Sequence, residues 1–236
     1  MTLEFAYLAL SGLMAIILIR IGFYAINHST TIGLDRTKHK IILISALGLW
    51  HSYLFFISNS GLLADFSLPP KLPLLVIIPL FTFSGVFIYK ERHKKWIQSI
   101  PKSWLVFYQS FRIGIETILY FSVGAGVLPA LVTFEGYNYD IIFGISALIV
   151  WYLVFINKSL NFTFVRYWNL SGLAIIGFII FLFLTGTYFP NVYNQSTSLL
   201  TPKFTEYPYI LVAGFLMPSA VFIHLLSLRQ YQTVEK

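Results

Sequence analysis

Long apolar blocks alternate with short polar connectors along the whole chain. Seven blocks stand out, at about residues 4–26, 41–60, 72–90, 104–128, 139–157, 168–187 and 208–228. Each is near the ~20 residues a helix needs to cross the ~30 Å hydrocarbon layer. Membrane β-strands would instead read as ~10-residue segments of alternating polarity. The pattern predicts an all-α membrane protein: one domain over 1–236, with seven transmembrane helices. The fourth block is long; "SWLVFYQSF" reads as an interfacial start and "VGAGVLP" as a loosened far end. Prolines inside the third and seventh blocks, Pro79 and Pro218, predict kinks that free backbone carbonyls.

Composition agrees. Hydrophobic residues make up 57% of the 236 and charged residues 11%, against roughly 25% charged in soluble chains. There are no cysteines, which excludes disulfides and thiolate metal or iron–sulfur sites. The N-terminal block lacks a basic n-region and carries Glu4, so it reads as a retained first helix. Connectors 27–40, 90–103 and 157–167 and the tail 229–236 hold twelve lysines and arginines; the opposite side holds only Lys71 and Lys203. By the positive-inside rule the N-terminus is outside and the C-terminus cytoplasmic. The net charge of +7 is therefore a topology signal, and no nucleic-acid motif accompanies it. The basic connector "KERHKKWIQSIPK" also suits anionic lipid. Trp96, Trp104, Tyr137, Tyr139, Trp168, Tyr188, Tyr207 and Tyr209 fall near block ends, as interfacial anchors do. The longest outer connector, 188–207, is expected over the mouth of the bundle.

A weak internal similarity relates "SGVFIY" (84–89) to "SAVFIH" (219–224) and "SGLM" (11–14) to "SALI" (146–149), both at a spacing of 135 residues. Helices 2 and 6 need a different spacing, 126, for "ISALG" (44–48) against "LSGLA" (170–174). Together the matches predict a 3+1+3 parallel repeat, 4–90 and 139–228, linked by helix 104–128. Chance matching of apolar segments is the competing explanation. The plan resembles that of small sugar transporters of the SWEET type, in architecture alone, since their proline–glutamine signature is missing.

Charges inside the spans are the candidate chemistry. In "QSFRIGIETILYF", Gln109, Arg112, Glu116 and Tyr120 recur at three or four residues and share one helix face. Each charge costs about 2.5–3.5 kcal/mol at mid-bilayer, so that face must turn inward. Arg112 and Glu116 are expected to pair, either as a structural ion pair or as a ligand site. His51 and His224 are further intramembrane polar groups; they differ in depth by about 9 Å and lack any HExxH-type spacing. No metal, haem or other cofactor is expected. Ser11, Gly12, Ser146, Ser171, Gly172 and Gly177 suit close helix contact. The outer segment "TFEGYNYD" (133–140) offers Glu135, Asn138 and Asp140, with Gly136 for a tight turn.

That segment, "FRIGIE" before it and "HLLSLRQ" (224–230) resemble a family of uncharacterised bacterial multi-pass membrane proteins. In that family a TFEG-x-N-x-D-I segment follows an Arg–Glu helix. The resemblance implies the bacterial inner membrane as location and directs attention to Arg112, Glu116, Glu135, Asn138 and Asp140. It supplies no activity, and Tyr137 stands where its pattern has a basic residue.

The sequence favours binding or transport of a small polar solute or a proton at an Arg112–Glu116 site. The alternative is a non-transporting receptor, scaffold or subunit that meets a membrane partner protein through "TFEGYNYD" and the basic loop "KERHKKWIQSIPK" (90–102). No nucleophile–base–orienter set is present, so an enzyme is not expected.

Overall fold

The computed structural model describes residues 2–29, 34–194, 196 and 198–232. Residues 30–33 of the first basic connector, and Lys236 with the rest of the tail after 232, lie outside the described residues. Among the described residues every regular element is helical: α1 (Leu3–Asn27), α2 (Leu34–Asn59), α3 (Ile78–Glu91), α4 (Lys95–Ser99), α5 (Lys102–Tyr108), α6 (Phe111–Gly124), α7 (Asp140–Trp151), α8 (Phe162–Tyr188) and α9 (Met217–Gln232). Among the described residues five segments are long and apolar enough to cross a membrane: Leu3–Asn27, Asp35–Asn59, Pro73–Glu91, Phe162–Tyr188 and Val212–Tyr231. Large apolar side chains such as Leu49 and Phe56 face outward, as suits a chain bathed by lipid.

Side-chain oxygens start two of these helices. Thr2 accepts from the Phe5 N–H and Asn161 from the Phe164 N–H, filling donors that the first turn leaves open. Arg36, Lys38 and Lys40 already belong to α2, which begins seven residues before the apolar block. Lysine and arginine propagate a helix well, so hydropathy alone misjudged that boundary.

The expected single helix over 104–128 is divided. Between α5 and α6 the N–H groups of Gln109, Ser110, Arg112 and Ile113 bond back three residues, at 3.0–3.3 Å, which tightens the helix into a 3₁₀ turn. The chain leaves α6 at Gly124 and winds through 125–139 before α7 starts at Asp140. With its terminal π-helical turn, Tyr152–Ile156, α7 is an apolar segment of only 17 residues.

Both sites where prolines predict a kink carry an irregular helical turn. Pro73–Ile77 and Val212–Leu216 are π-helical turns, each followed by an α-helix with proline at its second residue, Pro79 in α3 and Pro218 in α9. Proline has no N–H to give the carbonyl four residues earlier. Those two carbonyls, Leu75 and Gly214, take donors from α2 instead. Tyr53 donates its hydroxyl to Leu75 at 3.1 Å, and Trp50 donates Nε1–H to Gly214 at 2.7 Å. Leu54 fills the space a Cβ would need at Gly214.

Connectors meet in two groups. At one end Glu4 accepts from the Tyr209 hydroxyl and Thr201 donates to the Val127 carbonyl. At the other, Gln230 donates to the carbonyls of Ile97 and Ile100, and Arg229 to that of Arg92. Of the connector expected at 188–207, Tyr188 belongs to α8, and Leu200 and Phe204 are buried.

Candidate functional site

Arg112 lies midway along the α5–α6 unit, about 15 Å from its start and about 18 Å from its end at 1.5 Å per residue. It is 1% exposed. Its carboxylate partner is Asp140, not Glu116: Nη1 donates to Asp140 Oδ1 at 2.7 Å. Helical side chains lean toward the helix N-terminus. Arg112 therefore leans away from Glu116, and Asp140 arrives from the first turn of α7. The helices can meet because Gly144 has no side chain; a Cβ there would sit 2.9 Å from the Ile113 nitrogen and 3.0 Å from Arg112 Cβ. Phe143 places its ring 4.6 Å from the guanidinium, a cation–π contact.

The second Arg112 nitrogen, Nη2, lies 3.1 Å from His224 Nε2. Arginine only donates, so Nε2 must accept. His224 is thus the neutral Nδ1–H tautomer, and Nδ1 donates to Asn169 Oδ1 at 2.7 Å. Asn169 passes its own N–H groups to the Val165 carbonyl at 2.8 Å and Ser227 Oγ at 3.1 Å. Gly172 makes room, since a Cβ there would meet the His224 ring at 2.5 Å.

Glu116 stands one turn from Arg112 and is also 1% exposed. Asn138 donates to its Oε1 at 2.7 Å and to the Val132 carbonyl at 3.0 Å, and accepts the Asp140 N–H at 2.9 Å. Glu116 Oε2 is buried with no hydrogen-bond partner. Beside it lies a cavity of about 70 Å³ whose polar lining includes Arg112, Glu116, Asn138 and Asp140. Its remaining walls are mostly aliphatic and include Pro73 and Ile77 of one π turn and Val212, Ala213 and Leu216 of the other.

The "TFEG" segment earns its place by this geometry. Gly136 fits where a Cβ would strike the carbonyls of Leu131 and Ala130 at 2.5–2.6 Å, and the turn drops Asn138 and Asp140 into the bundle. They are not loop-surface groups. Glu135 does remain exposed.

Other sequence candidates separate from the cluster. Gln109 is buried next to it, with Nε2 on the Ala220 carbonyl at 3.1 Å and Oε1 unpartnered. Tyr120 is 40% exposed and stacks on Phe134, because loop 125–139 rather than a helix covers that level. His51 bonds its own helix at Leu47 and packs on Phe215, away from His224. Trp168 is no interfacial anchor: it is buried, stacked on Phe143, and donates to Ser146 Oγ. Gly12 and Gly177 have nothing within 4 Å of a built Cβ, so they do not serve close contact here. Asn169 and Ser227 belong to the network without being sequence candidates, although a polar Asn inside "RYWNLSGL" carries the same cost signal as Arg112. Among the described residues no group of three or more His, Cys, Asp or Glu is placed to hold a metal.

In comparisons with known proteins, no family model, no curated protein and no solved structure matches this chain.

Proposed function

We propose that the chain is a seven-span protein of the bacterial inner membrane, N-terminus outside and C-terminus cytoplasmic, that binds and carries a small cationic solute at Glu116. The observation that carries this reading is Glu116 Oε2, buried without a partner on the wall of an internal cavity. A buried acceptor left unmade costs about 1–3 kcal/mol, more for a charged group. A solute with N–H donors removes that cost.

Charge counting supports a cation. Arg112 offsets Asp140, and His224 is neutral by its hydrogen bonds; an ionised Glu116 leaves one negative charge uncompensated. The polar chain is a poor proton wire. Arg112 stays protonated, and the amides of Asn138 and Asn169 do not exchange their role for a proton's. The cavity of about 70 Å³ suits a solute of a few heavy atoms and is far below the ~300–1,000 Å³ of drug-sized pockets, so a sugar is a poor fit.

Its walls include both π turns, so straightening at Pro79 or Pro218 would change its shape. The π-turn–proline pairs in α3 and α9 correspond at a spacing of 139 residues, four more than the 135 of the sequence match, so they do not support the 3+1+3 repeat in that register. The match of α1 with α7 has no better support, since α1 has 25 residues and α7 has 12.

Uptake of methylammonium into proteoliposomes tests the reading. The protein should take it up saturably, and Glu116→Gln should abolish uptake while leaving folded protein intact. Equal uptake by the variant overturns it.

A further inference from the structure

We propose that a groove between α1 and α2 is a separate binding site for a membrane-dissolved alcohol, a molecule with an apolar body and one hydroxyl group. The groove is open, offers about 300 Å³ and is lined by Ser11, Gly12, Ala15, Gly48 and His51, with Tyr207 and Leu211 among its other walls. It lies apart from the Glu116 cavity and shares none of its lining residues.

Two polar groups in it lack partners that the rest of the chain supplies. Ser11 is 2% exposed, and its Oγ has no hydrogen bond. Other helical serines, Ser122, Ser146, Ser171 and Ser219, bond back to carbonyls of their own helices. His51 spends Nδ1 on the Leu47 carbonyl. A carbonyl only accepts, so Nδ1 carries a proton, and the neutral ring then presents a lone pair at Nε2. Ser11 is eight residues from the start of α1 and His51 eight from the end of α2. Both therefore lie about 12 Å below the same end of the bundle.

A hydroxyl matches this pair. It accepts from the Ser11 O–H and donates to His51 Nε2 at once. The depth excludes a phospholipid headgroup, which stays at the interface. The unpartnered serine and histidine favour a molecule that brings a hydroxyl over a purely apolar helix face from a second copy, and the remaining walls, Ala15, Leu47 and Leu211 among them, suit a single alkyl chain or ring body.

The groove has a clean blocking variant. Gly48 lines the groove and a Cβ there meets nothing within 4 Å, so Gly48→Leu starts a side chain into the groove without a contact at its first carbon. The probe is a sixteen-carbon alcohol with a mid-chain diazirine, incorporated into phosphatidylcholine nanodiscs with the full chain, and the labelled peptides are read by mass spectrometry. Labelling of α1 and α2 should exceed that by the matching hydrocarbon probe by about fivefold, the worth of one hydrogen bond. Gly48→Leu should remove that excess, Ser11→Ala should reduce it, and Glu116→Gln should leave it unchanged. Equal labelling by the two probes, or labelling indifferent to Gly48→Leu, overturns the proposal. So does a dimer that Gly48→Leu dissociates, which would make a second copy the occupant.

Discussion

Replacing Trp50 by phenylalanine removes one hydrogen bond and keeps most of the ring. In the native protein the Gly214 carbonyl has lost its helical donor to Pro218 and takes the indole N–H at 2.7 Å. Gly214 is buried under Leu54, so water cannot replace that donor. The orphaned carbonyl should cost about 1–3 kcal/mol, beside a smaller packing loss from the shrunken ring. Pro218→Ala separates the two. Alanine at 218 supplies an N–H four residues after Gly214, so the carbonyl is satisfied from within its helix. In that background Trp50→Phe should lose only the packing share. The double-mutant cycle, read from unfolding in detergent micelles, should give a coupling of about 1 kcal/mol or more. An equal cost of Trp50→Phe in both backgrounds refutes the reasoning, because it would mean the indole only fills space.

Three further outcomes follow from the same geometry. Asp140→Asn leaves the Arg112 charge buried against His224 and Phe143, and should destabilise the protein by about 3–5 kcal/mol; replacing both partners, Arg112→Met with Asp140→Leu, should recover much of the loss in the same unfolding assay. The cysteine-free chain allows a topology map: Glu135→Cys should react with an impermeant maleimide on intact cells and Lys94→Cys only after lysis, and the reverse pattern overturns the orientation. In loop 60–72 the bond from Lys71, with Ser67, holds the Asp65 carboxyl below the usual carboxylate range. The loop contribution is thus present above the ordinary aspartate pKa and fades as pH falls through the lowered value; proteolytic nicking of this loop should rise in acid, and Asp65→Asn should flatten that pH dependence.

The sequence displays the features that concern solvent and misses those that concern partners. Long apolar blocks mark the spans because lipid forces every backbone group into a helix. Pro79 and Pro218 announce the irregular turns through backbone chemistry alone. Their caps are invisible, because "LWHSY" reads as an apolar stretch and the carbonyls it serves lie up to 164 residues away. The cost of burial pointed to Arg112, Glu116 and His224, but pairing them needed the fold. Asn138 and Asp140 look like loop residues by polarity. Only the close approach at Gly144 and the tight turn at Gly136 bring them to mid-bundle. Local spacing suggested Arg112 with Glu116, and a charge 28 residues away displaced it.

Infrared difference spectroscopy of the reconstituted protein, with and without methylammonium, addresses Glu116 itself. The account predicts a saturable change in one carboxyl band that disappears in Glu116→Gln and survives in Asp65→Asn. A folded protein whose Glu116 band stays fixed at every methylammonium concentration would contradict it.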